Sequence, residues 1–294
     1  MEATKPNAPQ PKPQAPQAQK PAAKKGGNNK TVTSNVKGIK NASIVILICL
    51  IIAALFYIFV LGDGSHFKDG NNANNPVDIL GTIYKGGVIV PILHTLFLTV
   101  IVLSVERWIA LGKASGKGSQ TKFVANVKKA LNNKNIAEAE ELCRKQQGTV
   151  GAIVYATLQK YKEMEANTIL PKEQKLGIIQ QQIEEATALE MPSLQQNLPI
   201  CATLTTLGTL IGLLGTVIGM IRSFQALSAS GAPDSTALST GISEALVNTA
   251  FGILTAACAL IAYNFFTNKI DNLTYAVDEL GFAIVNTYAA NHAA

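Results

Sequence analysis

Long apolar stretches separated by polar segments dominate the hydrophobicity pattern of the chain. The first runs over residues 42–61 (ASIVILICLIIAALFYIFVL), and three more occupy residues 87–111, 198–227 and 236–268. Each stretch is long enough to cross the apolar core of a bilayer, which is about 30 Å thick and needs roughly 20 helical residues. The pattern therefore predicts an all-α membrane protein with four transmembrane helices.

The polar segments differ from one another in composition. Residues 1–41 are rich in Pro, Lys, Gln and Asn, which predicts a disordered tail. Residues 112–197 are predicted to form a cytoplasmic helical domain with long helices extending from the membrane, because Asn135 and Glu138 have the spacing of a capping box. The remaining segments are a periplasmic loop at 62–86, a periplasmic turn at 228–235 and a cytoplasmic C-terminal tail at 269–294.

Lys and Arg residues are distributed unequally between the two sides of the predicted bundle. The first 40 residues hold eight Lys and residues 112–197 hold twelve Lys or Arg, whereas the loop at 62–86 holds only Lys68 and Lys85. Segments on the cytoplasmic side of a membrane carry an excess of these residues. The distribution predicts that both termini are cytoplasmic.

Charge and composition argue against nucleic-acid binding and against metal chemistry. The net charge of +6 arises in the first 40 residues, where eight Lys and one Glu give +7 and leave −1 for the rest of the chain. This tail lacks the aromatic residues and the folded surface that nucleic-acid recognition needs. The four Cys and three His have no metal-binding spacing, so we expect no metal and no cofactor.

One carboxylate, Glu244, lies inside the fourth apolar stretch. The turn before that stretch is centred near Ser230, and Thr216 and Glu244 are each 14 residues from it, so we expect them at the same depth of an antiparallel pair. A charge in mid-membrane costs about 2.5–3.5 kcal/mol on insertion scales, so Glu244 should face the bundle interior or water. Asn248 shares its face, whereas Thr249 is predicted to meet a different helix or subunit.

Three structural interpretations of Glu244 stand beside a functional one. The side chain would reach the membrane surface, pair with a cation such as Arg222, or make a purely structural polar contact. The functional interpretation is a protonatable site in a proton path, with Thr216, Asn248 and Thr249 as hydrogen-bond partners. It rests on the preference of an apolar environment for the protonated form of a carboxyl group.

Small and hydroxyl residues form a stripe along the third apolar stretch. At about 100° per residue they share one narrow face of a helix. Such a stripe suits close helix packing, and it also suits the lining of a pore. Its members are Thr205, Thr209, Gly212, Thr216, Gly219 and Ser223, and Gly208/Gly212 and Gly215/Gly219 form GxxxG pairs.

The segments GLLGTVIGMIRSFQAL and GISEALVNTAFGILTAACALIAYNFF resemble the ExbB/TolQ/MotA proton-channel family, and ExbB most closely. The resemblance covers residues 85–290. It implies that Glu244 matches the family's transmembrane glutamate, Thr216 the threonine of its GTV motif, and Thr249 that of its EAL..T motif. It also implies a homo-oligomeric ring, typically a pentamer, in the bacterial inner membrane.

The same resemblance implies partners and a function that is not enzymatic. The ring would surround an ExbD/TolR-type single-span protein with a membrane Asp, and the complex would use the proton-motive force to drive a TonB-type transducer for outer-membrane transport. A TolQ-like motor for envelope maintenance, a MotA-like stator and a non-conducting scaffold remain open as alternatives. The span at 42–61 is additional to the three spans of the best-known members.

Overall fold

The structure is a computed structural model that describes residues 38–39, 41–72, 74–229 and 235–292. Within these ranges the chain is helical, apart from short connections and one bridge between Phe67 and Pro76. In the described part of the chain, four helices are long and apolar enough to cross a membrane, which confirms an all-α membrane protein. The helices are α1 (Ala42–Phe56), α2 (Ile79–Lys85), α3 (Ile89–Ala114), α4 (Gln120–Asn132), α5 (Ile136–Gln146), α6 (Gly148–Ala166), α7 (Lys172–Gln195), α8 (Leu198–Ala229) and α9 (Ser235–Asn291).

Two predicted segments fall wholly or partly outside the described residues. The disordered tail at 1–41 is represented only by residues 38, 39 and 41. The turn at 228–235 is described only at its two ends, because residues 230–234 lie outside the described ranges.

The first span packs through one narrow face. Val45, Cys49 and Ala53 recur every four residues and are buried, whereas most of the other large side chains of α1 are exposed. A helix with a single buried stripe and apolar side chains elsewhere suits a position at the lipid boundary of a bundle. At its end the helix widens into a π-helical turn, Tyr57–Leu61.

The segment after this span is an ordered structure rather than a plain polar loop. The ring of Tyr84 in α2 stacks on that of Tyr57 with centroids 4.6 Å apart, and the buried ring of Phe67 meets Tyr84 edge-on at 5.5 Å. Asp78 caps α2, because its carboxylate accepts a hydrogen bond of 2.8 Å from the Gly81 amide. The aromatic side chains therefore hold the segment against the end of the first span.

Helices α8 and α9 form an antiparallel pair in which glycines permit close backbone contact. A Cβ atom at Gly212 would lie 3.0 Å from the Cα of Gly252, and one at Gly252 would lie 2.6 Å from the carbonyl oxygen of Gly208. Both distances are too short for an ordinary side chain. The predicted GxxxG pairs thus lie at a helix–helix contact within one chain.

The segment 112–197 packs with the far half of α9 around one apolar core. Helices α4 to α7 contribute residues such as Leu131, Leu158 and Ile179, all buried. Residues 269–294 were predicted to form a tail, but this prediction is wrong, because α9 continues to Asn291. Its apolar residues recur at spacings of three and four, which places them on one helical face against this core. That face contains Phe266, Ile270, Leu273, Val277, Leu280, Ile284 and Tyr288.

A buried ion pair joins the first span, the second span and the α7–α8 junction. The guanidinium of Arg107 is fully buried and donates hydrogen bonds of 2.6 and 2.5 Å to the carboxylate of Glu106. Glu106 also accepts a bond of 3.1 Å from the amide of Ile39, and Asn197 donates to the carbonyl of Ile39 at 3.3 Å. The pair therefore fixes where α8 begins relative to α1.

Candidate functional site

The carboxylate of Glu244 lies half-buried on α9, near the side of the membrane that carries residues 62–86, here called the loop side. Across the helix pair, Gly219 faces Ala245 and Thr216 faces Thr249, so Glu244 lies one residue beyond the level of Gly219, on the loop side. The predicted equal depth of Thr216 and Glu244 is therefore wrong by about four residues, or roughly 6 Å along the helix. The midpoint of the pair lies beyond Ser230, which moves Glu244 toward the loop side.

A polar cavity of about 470 Å³ opens beside Glu244 on the loop side; we call it the vestibule. One wall belongs to the segment 62–86 and the other to the first turns of α9. Its walls include Lys68, Thr82 and Lys85 from the loop segment, and Ser239, Ser243 and Glu244 from α9. The carboxylate therefore faces a polar space, as the sequence analysis required of a charge within an apolar stretch.

Two cations lie near Glu244 without enclosing it. Arg222 of α8 and Lys85 of α2 both interact electrostatically with the carboxylate. Among the described residues, Glu244 takes part in none of the direct ion pairs. The interpretation that Glu244 is locked to a structural cation is therefore not supported by contact geometry. Its phenolic neighbour Tyr57, at the end of the first span, also interacts with it electrostatically.

The hydroxyl groups of Thr216 and Thr249 are hydrogen-bonded to each other across the α8–α9 contact. Both hydroxyl oxygens also lie within hydrogen-bond distance of the carbonyl oxygen of Gly212, at 3.2 Å from Thr216 and 3.3 Å from Thr249. Because each hydroxyl carries one proton, one threonine donates to the other and the second donates to this carbonyl. The prediction that Thr249 meets a different helix or subunit is wrong. Thr249 falls on the contact line of α9, between Ala245 and Gly252, because spacings of three and four residues align them on one helical face.

The side chain of Asn248 links α9 to the end of α2. Its Nδ2 donates a hydrogen bond of 3.2 Å to the carbonyl oxygen of Gly86, and the residue is only 2% exposed. Its Oδ1 is a buried acceptor with no hydrogen-bond partner in the described structure. A buried, unsatisfied amide oxygen one helical turn from Glu244 can accept a proton-bearing group or a water molecule.

Some of the other residues in the predicted stripe are packed against α9, and others are exposed. Ser223 is buried and donates to the carbonyl of Gly219 at 3.0 Å, and Gly215 contacts Asn248. Thr205 and Thr209 bond to carbonyls one turn earlier in their own helix, and Thr209 is exposed. Their role as pore-lining residues stays a prediction.

Within the described ranges, no three His, Cys, Asp or Glu side chains come together in a group that could hold a metal ion. Cys143 is enclosed in the apolar core of the helical domain, and this burial raises the pKa of its thiol to about 12. A thiol in that environment is inert.

Several residues of the site could not be identified from sequence. Lys68, Lys85 and Tyr57 approach Glu244 only because the loop segment folds back over the end of the first span. Glycine and asparagine in that segment predicted a turn-rich loop, and no local pattern indicates which face of α2 meets α9.

Comparisons with known proteins identify the family of the segment that contains this site. Residues 145–279 match the MotA/TolQ/ExbB proton channel family. An ExbB-like biopolymer transport protein of Synechocystis is 38% identical over 86 residues, which are 29% of this chain and 41% of that protein. The Tol-Pal system protein TolQ of Haemophilus influenzae is 37% identical over 82 residues, 28% of this chain and 36% of that protein.

A longer match links the chain to the biopolymer transport protein ExbB of Pseudomonas putida. The two are 26% identical over 166 residues, 55% of this chain and 49% of that protein. The chain thus covers less than half the length of each of these three relatives. The family match confirms the resemblance found in the sequence for residues 145–279, a segment that includes Thr216, Glu244 and Thr249. The assignment of these three residues to the family's motifs stays a prediction.

Proposed function

We propose that this chain, whose residues 145–279 belong to the MotA/TolQ/ExbB proton channel family, is the channel-forming subunit of an ExbB-like motor in the bacterial inner membrane. In this proposal it works with an ExbD/TolR-type single-span partner that carries a membrane Asp. The complex uses the proton-motive force to energise a TonB-type transducer for outer-membrane transport.

The observation that carries the proposal is the position of Glu244. It is the one carboxylate within the apolar part of the α8–α9 pair in the described ranges, and it lies where a polar cavity reaches that pair. Ionisable residues inside membranes are costly, and they mark ion or proton paths by default. A carboxyl group that borders a polar cavity can bind and release a proton, which is the chemistry that we assign to Glu244.

The neighbouring polar groups extend the site toward the opposite side of the membrane. From Glu244, the orphan acceptor of Asn248 lies one turn on, and the Thr216–Thr249 hydroxyl pair follows at the contact with α8. Hydroxyl and amide groups within an apolar bundle can pass or stabilise a proton that a carboxylate releases. We assign Glu244 as the proton-binding group and these three residues as its relay.

The proposed homo-oligomer, a pentamer by resemblance, would place one such site in each subunit. Several carboxylates in one ring would not ionise independently, so their titration would be coupled. The exposed apolar side chains of α8 and α9, such as Leu213 and Leu246, are available to lipid or to neighbouring subunits.

The test replaces the carboxyl group while keeping its shape. We expect Glu244→Gln to assemble normally but to lose at least tenfold in proton-motive-force-dependent transport in cells that lack the native chain. Glu279→Gln is the matched control, because Glu279 is an exposed carboxylate on the same helix, paired with Lys128 in the helical domain. Full transport by Glu244→Gln would refute the proposal.

Two alternatives are separated by the phenotype of Glu244→Gln and by one further variant, Gly212→Leu. A TolQ-like role is favoured by the 37% identity to TolQ of Haemophilus influenzae, and it would appear as envelope fragility rather than as a defect in nutrient uptake. A non-conducting scaffold is favoured by the tight Gly212–Gly252 contact. For a scaffold, Glu244→Gln would be silent and Gly212→Leu would abolish assembly.

A further inference from the structure

The segment 62–86 and the end of the first span are built against Glu244, although they lie outside the family segment at 145–279. Lys68, Thr82 and Lys85 line the same cavity as the carboxylate. Gly86, the residue that follows α2, contacts the site directly, because its carbonyl oxygen accepts the hydrogen bond from Asn248.

The vestibule is large enough to hold water. Its volume is about 470 Å³, and a single water molecule occupies about 10–15 Å³ of such space. Its walls carry ammonium, hydroxyl and carboxylate groups, which bind water through hydrogen bonds. Water in a cavity that ends at a carboxylate would connect this group with the solution on the loop side.

Hydrogen bonds, ring stacking and an ion pair hold the segment 62–86 in place as the wall of the vestibule. The phenol of Tyr57 donates a hydrogen bond of 3.0 Å to the carbonyl oxygen of Tyr84, and their rings stack. His66 and Asp78 are joined at 2.7 Å, and the amide of Lys68 bonds to the carbonyl of Asn75 at 3.1 Å. These contacts fix α2 in front of the first turns of α9.

We infer that the segment 62–86 forms the wall of the water-filled entrance through which protons reach Glu244 from the loop side. The added first span supports this wall through Tyr57. This inference deepens the proposed function and rests on it for the identity of the ion, but access to Glu244 is measurable without motor activity.

The experiment introduces one cysteine into the wall and measures the reactivity of Glu244. Thr82→Cys lies on the vestibule, and Ile79→Cys is the matched control, because Ile79 belongs to the same short helix, is 77% exposed and is not among the cavity residues. Both variants carry Cys258→Ala, which removes the partly exposed native thiol. A bulky, membrane-impermeant thiosulfonate is added from the loop side; the cysteine thiolate attacks its sulfenyl sulfur, a mixed disulfide forms and a sulfinate leaves. The yield of the modification is measured by mass spectrometry.

Access is then read out with two carbodiimides, which attach covalently to carboxyl groups. We expect the modified Thr82→Cys protein to react at least fivefold more slowly at Glu244 with a water-soluble carbodiimide than the modified Ile79→Cys protein. A lipid-soluble carbodiimide should reach Glu244 equally in both, which shows that the site itself is intact. Reduction of the mixed disulfide should restore the fast reaction.

The outcomes separate the two proposals. Equal labelling of Glu244 in both modified proteins would overturn the entrance, whatever the motor does. Loss of labelling with both carbodiimides would also overturn it, since the change would then be a distortion of the site. Full transport by Glu244→Gln together with slowed labelling would refute the proton role and leave the entrance standing.

Discussion

The buried Glu106–Arg107 pair offers a test of how the membrane bundle is joined to the helical domain. Arg107 is fully buried and donates to the Glu106 carboxylate, and it also donates to the carbonyl oxygens of Ser193 and Leu194 at 3.3 and 3.4 Å. Arg107→Met keeps the length and most of the apolar volume of the side chain. It leaves Glu106 buried with only the Ile39 amide and the Asn197 side chain as donors.

The expected decrease in the free energy of unfolding follows from the loss of the Arg107 guanidinium as the partner of Glu106. Removing one partner of a buried ion pair costs about 3–5 kcal/mol, and the two remaining donors to Glu106 place the expected loss at about 3 kcal/mol. For a chain of this size each kcal/mol lowers the melting temperature by roughly 2–4 °C, so we expect a decrease of about 6–12 °C. Trp108, the one tryptophan of the chain, stacks on Phe265 next to this site and reports unfolding by fluorescence in detergent.

A double variant completes the test. Glu106→Gln combined with Arg107→Met leaves no uncompensated charge, so it should recover part of the loss. The reasoning fails if Arg107→Met melts within 2 °C of the unmodified protein, or if the double variant is less stable than Arg107→Met alone.

Two further predictions concern the helix pair and the loop segment. Gly252→Leu should separate α8 from α9 and prevent assembly in native gels, because a Cβ there would lie 2.6 Å from the Gly208 carbonyl, whereas Leu254→Ile on the exposed face should assemble normally. The hydrogen bond from the Gly81 amide, followed by the contact with His66, lowers the pKa of Asp78 below its ordinary value. The ionised Asp78 carboxylate therefore caps α2 fully at pH values above the ordinary pKa of aspartate. This capping is lost as the pH falls through the lowered pKa of Asp78 and the carboxylate is protonated. Amide exchange of α2 should accelerate only in that acid range, and Asp78→Asn, which keeps an acceptor but does not titrate, should remove this pH dependence.

The apolar spans were predictable because lipid imposes a simple requirement. About 20 consecutive apolar residues identify a membrane helix, and the stretch at 42–61 agrees with the candidate span Ala42–Leu61. The spacing of Gly208, Gly212, Gly215 and Gly219 likewise indicated a packed face, and the structure places these glycines against α9.

The register of the helix pair was less predictable. It depends on where the connection between α8 and α9 reverses, and a turn-rich sequence does not fix that point to within one helical turn. The error moved Glu244 relative to Thr216 and hid the partner of Thr249. The packing of Tyr57 on Tyr84 joins residues far apart in sequence, which no local pattern encodes.

Helix α9 runs without interruption from the vestibule to Asn291, a distance of about 85 Å at 1.5 Å per residue. The same rod carries the carboxylate at one end and the buried ring of Tyr288, bonded to the Met164 carbonyl, near the other. Because α9 is one continuous helix, a rotation about its axis at the level of Glu244 would be transmitted along it to the helical domain. It would turn the apolar face that clamps the helical domain and change the surface which that domain presents far from the lipid.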